Sequence, residues 1–210
     1  MNIKIFPFNP IQVNTYVLYD ETKECAIIDP GCFYPDEKRE LLSFILNNEL
    51  IIKHVLNTHL HFDHTLGLNF VYEQFQMRTE AHQADQFLLD MLPQQYEAFG
   101  FGKYEGEIPV IEKYLTEHDI ISFGNQKLAI QHVPGHSPGS LVFYNNEYAF
   151  VGDVLFRGSI GRTDLIGGDM QLLLDGIRSK LFTLSPDTVV YSGHGPTTTI
   201  GEEIKNNPFF

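Results

Sequence analysis

The stretch that most constrains this chain is Thr58-His59-Leu60-His61-Phe62-Asp63-His64, which sets three imidazoles and a carboxylate within six residues. It follows a short apolar segment, 53–57, that reads as a strand, and it leads into 65–75, which reads as a helix. Side chains two apart at a strand end point the same way, so His59 and His61 can reach one ion. Asp63 and His64 fall in the turn before the helix and can reach a second ion a few ångströms away. Imidazole and carboxylate donors suit zinc, iron or manganese. The competing reading is a helix N-cap by Asp63 beside surface histidines.

Three further residues occur at predicted strand ends among glycines, where the backbone can approach a site closely. His136 lies in Val133-Pro134-Gly135-His136-Ser137-Pro138-Gly139, Asp153 ends Phe150-Val151-Gly152-Asp153, and His194 lies in Ser192-Gly193-His194-Gly195. Taken singly, each reads as a turn residue. Beside the first cluster they read as additional ligands.

Strand-like and helix-like segments alternate along the chain with no linker, which predicts one domain over residues 1–210. Strands are expected at 13–20, 23–29, 140–145, 148–152 and 187–191, with a hairpin over 120–133 turning at Gly124-Asn125. Helices are expected at 35–49, 82–91, 169–181 and 200–205. Tyr16 to Asp29 and Ser140 to Asp153 are both strand, turn and strand ending in Asp. His54 to His59 and Thr188 to His194 are both strands running into a His. This echo suggests two similar halves face to face, an α/β fold of four layers in which two mixed sheets lie between outer helices, the αββα sandwich. Residues 93–119 fit no element and read as a long irregular loop, of the kind that is often functional.

The motifs His59-Leu60-His61-Phe62-Asp63-His64, Pro134-Gly135-His136-Ser137-Pro138-Gly139, Gly152-Asp153 and Ser192-Gly193-His194-Gly195 resemble the metal motifs of the metallo-β-lactamase superfamily. Asn14-Thr15-Tyr16 and Ile27-Ile28-Asp29-Pro30-Gly31 match it too, so the resemblance spans nearly the whole chain. It implies a metallo-β-lactamase sandwich in which metal one takes His59, His61 and His136, metal two takes Asp63, His64 and His194, and Asp153 bridges them. Gly158-Ser159-Ile160-Gly161-Arg162-Thr163-Asp164 is similar to the glyoxalase II-like branch and to the persulfide dioxygenases within it. Two-zinc β-lactamases place a cysteine on the second metal, and Asp153 in that place argues against β-lactam hydrolysis. The chain ends soon after His194, without the helical domain that supplies glutathione contacts in full-length glyoxalase II, so the resemblance is to the short, single-domain hydroxyacylglutathione hydrolase-like proteins.

The activity the resemblance implies is hydrolysis of a small-molecule thioester by a hydroxide bridging two divalent ions, zinc by the family's habit, with iron or manganese as alternatives. Asp63 and Asp153 then serve as the catalytic carboxylates that orient the hydroxide. One alternative is persulfide oxidation at a single iron held by His59, His61 or His136, and Asp153. Another is a metal-containing binding module without hydrolysis. Arg162 is a candidate clamp for a substrate carboxylate, against an ion pair with Asp164. Asp29 is a candidate acceptor for a ligand imidazole, against a turn cap. His82 reads as structural, and His54, His118 and His132 as ordinary. Cys32 reads as an inert thiol, Asp169 as a helix cap, and Tyr96, Phe99, Phe101 and Tyr104 as a substrate mouth or the packing of the long loop.

A formal net charge of −13 argues against nucleic acid and anionic membrane as partners, and bound cations would offset part of it. Two cysteines, Cys25 and Cys32, cannot form a disulfide framework, and no apolar run approaches a membrane span. Both points suit a cytoplasmic setting.

Overall fold

The structure, a computed structural model, describes residues 1–210. Its first sheet runs in chain order: β1 (Asn2–Phe8), β2 (Val13–Tyr19), β3 (Glu24–Ile28), β4 (Ile51–Leu56), β5 (Thr79–Ala81) and β6 (Ile111–Tyr114). The first three strands are antiparallel, and β3 to β6 are parallel. The second half supplies β7 (Ile120–Phe123), β8 (Gln126–His132), β9 (Leu141–Tyr144), β10 (Tyr148–Gly152), a small hairpin of β11 (Leu155–Phe156) and β12 (Ser159–Ile160), then β13 (Val189–Ser192) and β14 (Thr198–Thr199). Its sheet has the order β14-β13-β10-β9-β8-β7. The helices are α1 (Pro35–Asn47), α2 (Leu68–Phe75), α3 (Gln86–Asp90), α4 (Leu92–Ala98), α5 (Met170–Gly176) and α6 (Ile200–Asn206).

Alternation along each strand divides the core into layers. Tyr16, Leu18, Ala26, Ile28 and Leu56 of the first sheet meet Leu128, Ile130, Leu141, Phe143 and Phe150 of the second. Val17, Ile27 and Val55 point the other way, onto Leu41 and Ile45 of α1 and Leu68 and Val71 of α2. Val142, Val151 and Val190 likewise pack on Leu173 of α5, on Ile177 and Leu181, and on Ile200 of α6. Each such side chain contributes about 1.5–3 kcal/mol on burial. Strands covered on both faces read as near-continuous apolar runs, which is why they are visible in the sequence. The result is the αββα sandwich.

The internal echo is topological. The β2-β3-β4 set is an antiparallel pair followed by a parallel one, and so is β9-β10-β13. The ends of β3, β4, β10 and β13 therefore reach the same edge of the sandwich, carrying Asp29, His59, Asp153 and His194.

Several expectations are corrected. β1 is an additional edge strand, and such a position tolerates Pro7, whose missing N–H is not needed there. The helix expected over 65–75 begins at Leu68, after a separate 3-10 turn over Phe62–His64. A second 3-10 turn, Gln83–Asp85, precedes α3, and α5 widens into a π-helical turn over Ile177–Leu181. Residues 93–119 are not uniformly irregular. They contain most of α4, whose Pro93 suits a first helical turn, and the edge strand β6. No helix is long and apolar enough to cross a membrane.

Candidate metal centre

Seven side chains from four strand ends converge on that edge. His59, His61 and His136 turn ring nitrogens toward one point: His136 Nε2 lies 3.2 Å from His59 Nε2 and 2.9 Å from His61 Nδ1. Three nitrogens on one tetrahedral zinc would stand about 3.3 Å apart, given bonds near 2.0–2.1 Å. Asp63, His64 and His194 form a second group, with Asp63 Oδ2 3.3 Å from His194 Nε2 and 3.8 Å from His64 Nε2. Asp153 lies between the two. Its Oδ2 is 3.6 Å from both His136 Nε2 and His194 Nε2, and its Oδ1 is 3.4 Å from His64 Nε2. His64 Nε2 and Asp153 Oδ1 are buried without a hydrogen-bond partner, and a cation would satisfy both.

The far nitrogens of His59, His64, His136 and His194 are anchored, which fixes which nitrogen of each faces the centre. His136 Nδ1 donates to the Arg162 carbonyl at 2.8 Å, and His194 Nδ1 to the Ile11 carbonyl at 3.1 Å. His64 Nδ1 donates to Asp29 Oδ2 at 3.0 Å. The Thr58 hydroxyl donates to the same Asp29 oxygen at 2.6 Å, so its lone pair is free to accept from His59 Nδ1 at 3.1 Å. Asp29 thus touches His64 directly and His59 through a hydroxyl, as well as capping the backbone N–H of Thr58 at 2.7 Å. From β2, the Asn14 amide donates to the Ser192 and Gly195 carbonyls and the Tyr16 hydroxyl to the Ser192 carbonyl, which secures the loop carrying His194.

Asp85 was not foreseen from the sequence. Buried, it accepts from Leu60 N at 3.2 Å, Gly139 N at 2.6 Å and the Ser137 hydroxyl at 2.7 Å. It therefore ties the His59–His61 segment to the loop of His136. The only hint in the sequence is the polar run before α3. His82 in that run is structural, as expected: it caps the 3-10 turn by accepting from Ala84 N and stacks on His132. The reason for glycine at 193 is close approach, since a Cβ there would collide with the Asp153 carboxylate and lie 2.7 Å from His64 Cε1.

Burial, then the crowding of the other imidazoles, holds His59 far below its ordinary pKa, and burial followed by His136 brings His61 to about 3. Burial alone would raise Asp63 and Asp153, but the surrounding histidines, His64 foremost, keep both below the usual carboxylate range. For His64, burial opposes charge but Asp63, Asp29 and Asp153 outweigh it and raise its pKa. Neutral His59 and His61 and ionised Asp63 and Asp153 are the forms that bind metal.

Above the centre lies a cleft of about 360 Å³, its floor made by His61, Asp63, His136, Asp153 and His194. Ile11, Leu88, Met91, Phe99, Leu165 and Ile166 wall it. Phe99 is at this mouth, whereas Tyr96, Phe101 and Tyr104 pack beneath it around Phe62 and Leu92. The Arg162 guanidinium borders the cleft but is forked onto Asp164, with bonds of 2.7 and 2.8 Å. Cys32 is buried in the apolar layer under α1 and α2.

A sequence model of the Metallo-beta-lactamase superfamily matches residues 8–194. The chain belongs to this superfamily. A relative described as hydroxyacylglutathione hydrolase GloC, from Haemophilus influenzae, is 38% identical over 213 residues, covering 100% of this chain and 98% of the relative. The crystal structure of BLEG-1 B3 metallo-beta-lactamase superposes with a TM-score of 0.89 at 38% identity, over 99% of each chain. That of TTHA1623 in a di-iron-bound form gives 0.85 at 34% identity, over 99% of this chain and 100% of the other. A superfamily sandwich of this kind binds divalent metals and marks the chain as a hydrolase.

Proposed function

We propose that His59, His61 and His136 hold one divalent cation, that Asp63, His64 and His194 hold a second, and that the pair hydrolyses a small-molecule thioester. The observation that carries this reading is Asp153, whose carboxylate faces both groups at 3.4–3.6 Å and keeps one buried oxygen unpaired. When bound, such a pair lowers the pKa of a water toward neutrality and polarises a carbonyl. Asp63 and Asp153 accept the water's hydrogen bonds and aim its lone pair into the cleft. The anchored histidines keep the remaining geometry fixed, so little reorganisation accompanies the reaction.

The full-length likeness to a relative described as a hydroxyacylglutathione hydrolase supports a thioester as substrate. The donors are nitrogen and oxygen with no thiolate, which suits zinc, iron or manganese. A single-iron persulfide dioxygenase would leave the second trio without a task. A purely structural site would close with four ligands, whereas seven converge here beneath an open cleft. The acidic chain sets a small molecule ahead of nucleic acid as ligand.

The test is an assay of one metal-loaded preparation with S-lactoylglutathione and other thioesters, glutathione persulfide and a penicillin. Thioester cleavage that is lost in Asp153→Ala supports the proposal. Oxygen uptake on the persulfide, or penicillin as the preferred substrate, overturns it. The penicillin arm is needed because a B3 metallo-beta-lactamase stands among the similar structures.

A further inference from the structure

We infer that the cleft selects thioesters by an uncharged, apolar acyl group and not by a glutathione moiety. This rests on the thioester reading above. Glutathione brings two carboxylates, an ammonium and two amides, and each needs a partner when it leaves water. The cleft offers few. Besides the metal-facing residues, its one cationic side chain is Arg162, whose fork already meets the Asp164 carboxylate twice. Gln95 is engaged at both ends, accepting from Phe62 N at 3.3 Å and donating to the Leu88 carbonyl at 2.7 Å. That leaves Gln94 as the uncommitted amide.

The walls instead offer hydrocarbon. Leu88, Met91 and Phe99 stand on the α3–α4 side, where Phe99 stacks on Phe62 at 4.8 Å, beside His61 of the first metal group. Leu165 and Ile166 add to this lining, a few residues after the Arg162 carbonyl that holds His136. An acyl carbonyl over the first group therefore places its chain among apolar side chains. The volume, about 360 Å³, lies at the small end of the range for small-molecule sites.

The experiment measures kcat/KM of the metal-loaded protein on N-acetylcysteamine thioesters from acetyl to hexanoyl and on S-lactoylglutathione. The expected result is a rise of about fourfold per added methylene, as apolar burial dictates, with hexanoyl well above the glutathione thioester. Phe99→Ala and Met91→Ala should flatten the rise, and Asp164→Ala, by freeing Arg162, should raise activity on the glutathione thioester selectively. By calorimetry, S-hexyl-N-acetylcysteamine should bind at least as tightly as S-hexylglutathione. A flat chain-length series with S-lactoylglutathione preferred overturns the inference and leaves thioester hydrolysis standing. No cleavage of either series by protein that holds two ions overturns both.

Discussion

Asp29 offers the sharpest single perturbation, because one carboxylate serves both halves of the centre. Its Oδ1 accepts from Thr58 N at 2.7 Å and Asn57 Nδ2 at 3.3 Å, and its Oδ2 accepts from the Thr58 hydroxyl at 2.6 Å and His64 Nδ1 at 3.0 Å. Asp29→Asn keeps the shape, and asparagine tolerates the left-handed backbone, φ 50°, found there. The amide, however, turns an NH₂ toward two of these buried donors. Stranding a buried donor costs about 1–3 kcal/mol, and loss of a partner behind a metal-binding imidazole typically weakens metal affinity about 10–100-fold. The variant should therefore bind both ions more weakly, with the larger loss at the His64 group, where contact is direct. Thr58→Val removes only the hydroxyl between Asp29 and His59, and should weaken the first group while sparing the second. Competition against a chelating dye resolves the two affinities. An Asp29→Asn protein with both affinities unchanged, or a Thr58→Val protein weakened at the second group, refutes the assignment.

Three further outcomes are expected. Asp85→Ala strands the donors of Leu60, Ser137 and Gly139, which should cost about 3 kcal/mol or more and lower Tm by roughly 6–12 °C, with lower metal content; an unchanged melting curve refutes the tie. Burial opposes charge on His54, but its 2.6 Å bond to Glu80 outweighs burial and raises its pKa. A raised folded value means that this stability is complete below the unfolded pKa of about 6.5 and is lost as pH rises through the folded one, so urea midpoints should fall above neutrality in the wild type and less so in Glu80→Gln. Burial pushes both thiols, Cys25 and Cys32, up to about 12, so a disulfide reagent should label neither until the protein is unfolded.

How much of this was legible follows from what carries each feature. The metal-facing side chains announce themselves because strand-end spacing and flanking glycines are local patterns. Asp85 does not, because a carboxylate that receives backbone N–H groups from two distant segments leaves no mark around itself. The buried strands β2 and β3 show as apolar runs. β5 is three residues long and β6 is largely exposed, so neither carries a period, and both owe their pairing to the neighbouring strand. Arg162 was readable as a basic residue near the site, but its fork onto Asp164, two residues on, and its carbonyl under His136 emerge only from the folded turn.

The central claim is that two ions share Asp153. It is tested most directly by the metal content of the purified chain, titrated to saturation beside its Asp153→Ala variant and read by mass spectrometry. The account gives two ions per wild-type chain and a reduced number in the variant. One ion per wild-type chain at saturation, or a variant that still holds two with undiminished affinity, would contradict it.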